Sequence, residues 1–337
     1  MASVVNASGN KTIDAGADKG CAPGKGAAAR GPIVTVRVPA STANLGPGFD
    51  AVGLALDRYV TVTLAEAART SVIPRGSVLA GTPASEENLV YRAVRCVFER
   101  LGCAVPPLRL EVESDIPLAR GLGSSAAAIV GGLVAANAYL GEPLTREELL
   151  AMAAEMEGHP DNVGAALFGG VVVAVRQEDG RVPYLRLPVP EDLVVVAAVP
   201  DVPLETAKAR RVLPEAVTRR DAAYALGQTG LLVAAIATGQ WDRLADAMRD
   251  RLHQPYRLPL IPGAERMVRE APEHGALGAA LSGAGPTVVA FTFDGAERVA
   301  AFFRRVMAES GLPGTVCTFR PDTQGARVWR NEKAGER

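Results

Sequence analysis

Lysine is almost missing from this chain. Nearly all of its 36 basic residues are arginine, and Lys208 is the only lysine between positions 26 and 332. That scarcity excludes two large classes of nucleotide enzyme. A P-loop needs a Gly-Lys pair followed by a hydroxyl residue, and the only Gly-Lys here is Gly24-Lys25, set in a glycine- and alanine-rich stretch. A protein kinase needs a strand lysine in its first half, where none is available. Cysteine and histidine are scarce as well. The four cysteines (Cys21, Cys96, Cys103, Cys317) form no C-x-x-C pair and there are three histidines, which argues against a disulfide framework and a zinc site and points to a reducing, cytoplasmic compartment. The h-region of a signal peptide is missing. The longest run of low charge, Leu122 to Leu140, is built from Ala, Gly, Ser and Asn rather than Leu and Ile, so it does not read as a membrane span. A net charge of −1, from 36 basic against 37 acidic residues, leaves no basic footprint for nucleic acid or an anionic membrane. Small molecules are the expected partners.

What is present is enough apolar residue for a large core: 48% of 337 residues, a length that suggests two domains. Residues 1–31 have no apolar period and are expected to be a disordered tail. From Pro32, "IVTVRV" reads as a strand, "PASTANLGPGFDAVG" as a long polar loop, and "LALDRYVTVTLAEA" as a second strand. Ser85 opens a helix that Gly102 closes, and "LRLEVE" alternates like a strand. Thr145 and Glu148 form a capping box ahead of "REELLAMAAEMEG". After the prolines of "LPVPEDL" the order is strand, helices, two strands, helix, strand, a split βαβ pattern. The class is α+β, with an N-terminal domain over 32–188, a second domain over 189–325 and a flexible C-terminal end over 326–337.

The stretch "PLARGLGSSAAA" carries the chemistry. Gly121, Gly123 and Ala126 fit G-x-G-x-x-G/A, but "SDIPLAR" separates them from the preceding strand and no acidic strand end follows, so a Rossmann dinucleotide turn is disfavoured. Glycines that let backbone N–H groups approach an anion, two serines and a helix N-terminus still make a phosphate site. A plain glycine-serine cap over a buried helix is the alternative.

Three glycine-bearing segments occur in order: "VPASTANLGPGFDAVGLALD", "PLARGLGSSAAA" and "LSGAGPTVVAF". They resemble the three motifs of the GHMP small-molecule kinases, and the first, with "EGHPDN" and "LHQPYR", resembles the homoserine-kinase branch of that family. The resemblance runs from residue 32 to about 320. It implies a ribosomal-protein-S5-like N-terminal domain, a ferredoxin-like C-terminal domain, ATP as co-substrate with Mg2+, and L-homoserine as acceptor. A homodimer is carried as the candidate assembly.

Carried over position by position, the resemblance implies that ATP meets Asn88, Pro117, Arg120, Gly121, Leu122, Gly123, Ser124, Ser125 and Ala126, and Ser282, Gly283 and Gly285 from the third motif. Ser125 and Glu155 are expected to hold Mg2+ and, with Asn44, to be the catalytic residues. Glu157, two residues on from Glu155, is read as a solvated surface charge. For the acceptor, Asn44 meets the hydroxyl and Asp50 the ammonium, while Arg210 and Arg257 are suited to clamp the carboxylate because a guanidinium pairs with it in fork geometry. Arg210 is favoured over Arg211 because Thr206 precedes it by four, on one helix face. His159 and Asn162 are expected in the same pocket, and His253 and His274 are read as structural. Mevalonate kinases carry a lysine and an aspartate that activate the acceptor, whereas motif one here has no lysine. An amide takes no proton at neutral pH, so no dedicated base is expected and the hydroxyl proton passes to a phosphate oxygen, with Asp161 as the alternative base. Kinases of mevalonate or shikimate type, and a non-catalytic binding protein of the same fold, are the competing readings.

Overall fold

The computed structural model describes residues 31–331. The expected tail lies outside them but for Gly31. The first unit runs β1 (Ile33–Asn44), β2 (Gly48–Glu66), β3 (Ser71–Arg75), α1 (Leu89–Arg100), β4 (Leu108–Ser114), α2 (Ser124–Tyr139), α3 (Arg146–Glu157), α4 (Asp161–Phe168), β5 (Val171–Ala174) and β6 (Tyr184–Leu187). Alternating valines drive the first hairpin: Val34, Val36 and Val38 face Leu64, Val62 and Val60 across an antiparallel register, all buried. The expected long loop after Val38 is instead strand. Ser41 and Thr42 are polar yet fully buried, because their hydroxyls are hydrogen-bonded to Asn162 and Ser282, so the chain turns only at Leu45–Pro47. α1 begins at Asn88 rather than Ser85, since the Asn88 carbonyl Oδ1 accepts from the Val90 N–H at 3.0 Å. The capping box of α3 is present as read.

The second unit runs β7 (Val194–Pro200), α5 (Thr206–Arg211), α6 (Arg219–Ala237), α7 (Leu244–Ala247), α8 (Gln254–Arg257), α9 (Ala264–Glu270), β8 (Gly278–Leu281), β9 (Val288–Thr292), α10 (Ala296–Glu309) and β10 (Gly314–Phe319). Its antiparallel sheet has the order β10-β7-β9-β8, the ferredoxin-like arrangement expected of a split βαβ chain. Period-two alternation on β7 then ties the units together. Val194, Val196 and Ala198 pack under α9 and α10, whereas Val195, Ala197 and Val199 point the other way into the core shared with the first unit. The cleft described below lies at that seam.

Of the C-terminal end, residues 332–337 lie outside the described residues, and the part before them departs from expectation. It returns to the first sheet as β11 (Arg327–Asn331), antiparallel to β1, giving the order β11-β1-β2-β4-β3 with β5 on β2 and β6 on β5. Buried Asp322 anchors the return, accepting from the Gly325 N–H (2.7 Å), the Tyr59 hydroxyl (3.0 Å) and the Arg327 guanidinium (2.8 Å). The cysteines also differ: Cys96 and Cys317 are free, but Cys103 is disulfide-bonded. Among the described residues no helix is long and apolar enough to cross a membrane.

A chain ended at Phe319 is expected to melt well below the full chain in a calorimetric scan, since it exposes the β1 edge and removes the Asp322 cluster. An unchanged melting temperature would restore the reading of a loose end.

Candidate active site

Three turns that are far apart in sequence meet backbone to backbone. The Ser282 hydroxyl donates to the Gly121 carbonyl (2.6 Å) and exchanges a hydrogen bond with the Thr42 hydroxyl (2.8 Å). The Gly283 N–H donates to the Ala43 carbonyl at 3.0 Å, and the Asn44 amide donates back to the Gly283 carbonyl at 2.9 Å. The Asn44 Oδ1 accepts from the Asp50 N–H at 3.0 Å, so that amide is engaged at both ends and Asn44 holds the turn in shape. Gly121 and Gly123, at φ of 78° and 68°, permit the approach: a Cβ on either would collide with Ser282 or Ser41.

The cleft between these turns is lined by Gly121, Gly123, Ser124 and Ser125 on one wall and Gly283, Ala284 and Gly285 on another, with Asn44 and Asp50 beside them. Gly123 is the N-cap of α2 and has no side chain to cap it. The first N–H groups of that helix are therefore left to a ligand, and with the helix dipole they favour an anion. Several residues assigned to ATP by resemblance do not line this cleft. The Asn88 amide is consumed at the start of α1, where Nδ2 also donates to the Pro83 carbonyl at 2.8 Å. The Arg120 guanidinium ties the Leu118 and Ala119 carbonyls to that of Asp201, and the Ser282 hydroxyl locks the turns together. Leu122 and Ala126 are buried in the core, and Pro117 lies off the cleft wall.

The acidic residue at the glycine turn is Glu157, which corrects two assignments at once. The Ser125 hydroxyl donates to Glu157 Oε1 at 2.5 Å, whereas Glu155 is exposed and faces a separate pocket beside Cys96 and Met152. Helical phase explains it. Leu149, Leu150, Ala153 and Ala154 are the buried stripe of α3, and position 157 continues that stripe by i+3 and i+4 while 155 falls outside it. Burial raises the Glu157 carboxyl above its ordinary range, against the lowering pull of the Ser125 hydrogen bond and the His159 charge. One half-buried carboxylate beside a hydroxyl suits Mg2+, which needs few protein ligands and keeps several waters.

His159 Nδ1 lies 2.5 Å from Asp161 Oδ1, and that oxygen also accepts from the Asn162 N–H at 2.7 Å. Burial works against a charged imidazole here, but the hydrogen bond and charge of Asp161, helped by Glu157 and Asp50, outweigh it and raise the pKa. Asn162 also lines the cleft, its Oδ1 held by the Ser41 hydroxyl at 2.9 Å.

The acceptor side is charged and paired. Arg210 points inward while Arg211 is exposed, and the Arg210 fork meets Asp50 at 2.8 and 3.0 Å. Arg257 is only 1% exposed and has no carboxylate within ion-pair distance among the described residues. Its Nε–H donates to the Ala209 carbonyl (3.1 Å), and its Nη1 meets the Gly283 carbonyl and His253 Nδ1, each at 3.3 Å. Burial, with the Arg210 charge nearby, brings its pKa down to about 10, so it stays cationic at neutral pH. Thr206 and Leu204 complete this wall. Sequence reasoning missed Glu157 at the glycine turn, which the helical stripe would have found.

Residues 88–170 match the family described as GHMP kinases N terminal domain, and residues 232–309 that described as GHMP kinases C terminal. The chain is 49% identical over 296 residues to a homoserine kinase of Deinococcus radiodurans, covering 87% of this chain and 96% of the relative. It is 45% identical over 293 residues to one of Moorella thermoacetica, covering 87% and 99%. The crystal structure of homoserine kinase from Cytophaga hutchinsonii superposes with a TM-score of 0.79 at 30% identity, covering 88% of this chain and 97% of that one.

Glu157→Gln is expected to cost about two orders of magnitude in nucleotide turnover, as when an electrostatic partner of a transferring group is lost. Glu155→Gln is expected to leave turnover near wild type; the reverse outcome would return the role to Glu155. The raised His159 pKa sets a second expectation. Its stabilisation is fully present below the ordinary value of 6.5 and lost as pH rises through the higher folded value. Urea midpoints measured across that window are expected to fall with pH in the wild type and to flatten in His159→Gln.

Proposed function

The chain belongs to the homoserine kinases of the GHMP kinase family, and from that premise we propose that it transfers the γ-phosphoryl group of ATP to the side-chain hydroxyl of L-homoserine. The product is O-phospho-L-homoserine, which we place in cytoplasmic threonine biosynthesis. The observation that carries this reading is the juxtaposition, in one cleft, of an anion-binding helix start with Asp50, Arg210 and Arg257. An acceptor that is both an ammonium and a carboxylate is what those three charges suit.

Phosphoryl transfer asks the protein chiefly to position the two reactants and to neutralise spreading charge. The Gly121–Ser125 backbone presents donors to the triphosphate, and the α2 dipole adds positive potential. Glu157 and Ser125 are the residues that would hold Mg2+, which would neutralise charge on the phosphate oxygens. Arg257 takes the amino-acid carboxylate in its buried niche and Asp50 takes the ammonium, with Arg210 shared between the two. Among the described residues we assign no dedicated base to the acceptor. The Asn44 amide takes no proton, Asp161 Oδ1 already accepts twice, and His159 is held toward its cationic form. The hydroxyl proton therefore passes to a phosphate oxygen as transfer proceeds.

Release of ADP assayed across homoserine, serine, threonine, mevalonate and shikimate tests the substrate directly, and selectivity for homoserine is expected. Arg257→Ala and Arg210→Ala are each expected to weaken homoserine binding by about 2–5 kcal/mol, the cost of stranding one partner of a desolvated charge pair, with little effect on KM for ATP. With 3-aminopropanol, which lacks the carboxylate, wild type should be poor and the variants hardly worse. Equal losses on both acceptors would assign these arginines to the fold instead.

A further inference from the structure

Among the described residues His253 is a fully enclosed titratable group that the reaction leaves unused. Its exposure is 0%. It stands one residue before α8, and Arg257 ends that helix four positions on. Nε2 lies 2.7 Å from the Gly46 carbonyl, in the turn of the first motif, while Nδ1 lies 3.3 Å from Arg257 Nη1. A carbonyl can only accept and a guanidinium can only donate. The ring is therefore asked to donate at Nε2 and accept at Nδ1, which selects one neutral tautomer. Asp250 does not compete for the ring proton. Its oxygens lie 2.8, 2.9 and 2.7 Å from the N–H groups of Leu252, His253 and Gln254, farther from Nε2 at 3.5 Å than the Gly46 carbonyl is. Phe49 stacks on the imidazole at 5.2 Å between centroids, and the Arg257 guanidinium also sits 5.2 Å from the Phe49 ring, so rotation of the imidazole is blocked.

Three acceptors, Ala209 O, Gly283 O and His253 Nδ1, occupy Nε and Nη1 of Arg257 and leave Nη2 without a protein partner among the described residues. Two of them are backbone carbonyls. The third is a side chain that itself reports the position of the first-motif turn.

We propose that His253 is a positioning residue for the acceptor amino acid: as the Nε2–H tautomer it grips Gly46 with one nitrogen and orients Arg257 with the other, so that Nη2 faces the substrate carboxylate. The inference rests on the reading of Arg257 as the carboxylate clamp. It gives the histidine of "LHQPYR" a role in recognition, where the sequence alone marks it as structural.

Two amide replacements separate the two grips, because an Asn places Oδ1 near the site of Nδ1 and a Gln places its NH2 near the site of Nε2. His253→Gln keeps the bond to Gly46 and loses the acceptor for Arg257. Loss of a hydrogen bond to a charged group predicts a rise in KM for homoserine of about 10- to 100-fold, with KM for ATP and the thermal shift on ATP binding retained. His253→Asn restores the acceptor and is expected to recover most of the homoserine affinity. With 3-aminopropanol both variants should match wild type. Equal homoserine KM in the Gln and Asn variants, or an equal loss on 3-aminopropanol, would overturn the proposal. Nitrogen-15 NMR of histidine-labelled wild type at pH 7, with His253 assigned by its absence from the Gln variant, should show an unprotonated Nδ1. A protonated Nδ1 overturns it whichever acceptor is used. A wild-type chain that ignores homoserine sinks the substrate reading instead, and the tautomer then decides the His253–Arg257 contact alone.

Discussion

Gly121 has no room for a side chain, because a Cβ there would run into the Ser282 carbonyl and come within 2.9 Å of the Gly285 carbonyl. That contact between the second and third motifs is the constraint on which the cleft depends. Backbone to backbone approach at this distance is open only to glycine, and it is held by one serine hydroxyl that links Gly121 to Thr42 in the first motif. The three motifs are thus one structural unit before they are a binding site. It follows that their polar residues divide into two groups. Ser41, Thr42, Asn44 and Ser282 spend their hydrogen bonds on one another and on neighbouring turns, and they set geometry. Ser125, Glu157, His159 and the arginines are left to face what enters.

The same joining explains how two domains share a rigid site. The strand β7 sends alternate residues into two different cores, so the second sheet cannot shift against the first without unpacking Val195, Ala197 and Val199. Arg210 and Arg257 are carried by short helices of the second unit, while Asp50 and the glycine turn belong to the first. Placing a carboxylate and an ammonium at fixed separation therefore draws on both units. The Asp50–Arg210 pair, half-exposed and bidentate, keeps the two charges neutralised against each other at little gain in stability.

Much of this was legible in the sequence, and the parts that were not share a physical reason. Valine alternation marked β1 and β2, and the Thr145–Glu148 box marked the start of α3, because those signals are local. The three motifs were legible because each carries glycines at fixed spacing. The long polar loop of the first motif was misread since its serine and threonine are buried by partners more than 100 residues away. "RVWRN" was taken for a loose end because a short edge strand rich in arginine has no signal of its own; it exists only because β1 offers an edge. Glu155 and Glu157 are told apart only by helical phase, since the face that buries Leu149, Leu150, Ala153 and Ala154 leads to Glu157.

Two histidines of the cleft show how far environment overrides residue type. Both are largely enclosed, and burial alone pushes each toward the neutral ring. At His159 a carboxylate stands against Nδ1, with Glu157 and Asp50 beyond it, and the balance tips to the cation. At His253 burial, helped by the Arg257 guanidinium, outweighs the pull of the Asp250 carboxylate and the Gly46 carbonyl and lowers the pKa, so the ring stays neutral. The cation sits among Asp161, Glu157 and Asp50, on the cleft wall that Ser124 and Ser125 also line. The neutral ring sits behind Arg257, where a second cation would repel the guanidinium. His159 is placed in the cleft as "EGHPDN" leads one to expect, whereas nothing in the sequence beside His253 shows what its two ring nitrogens meet.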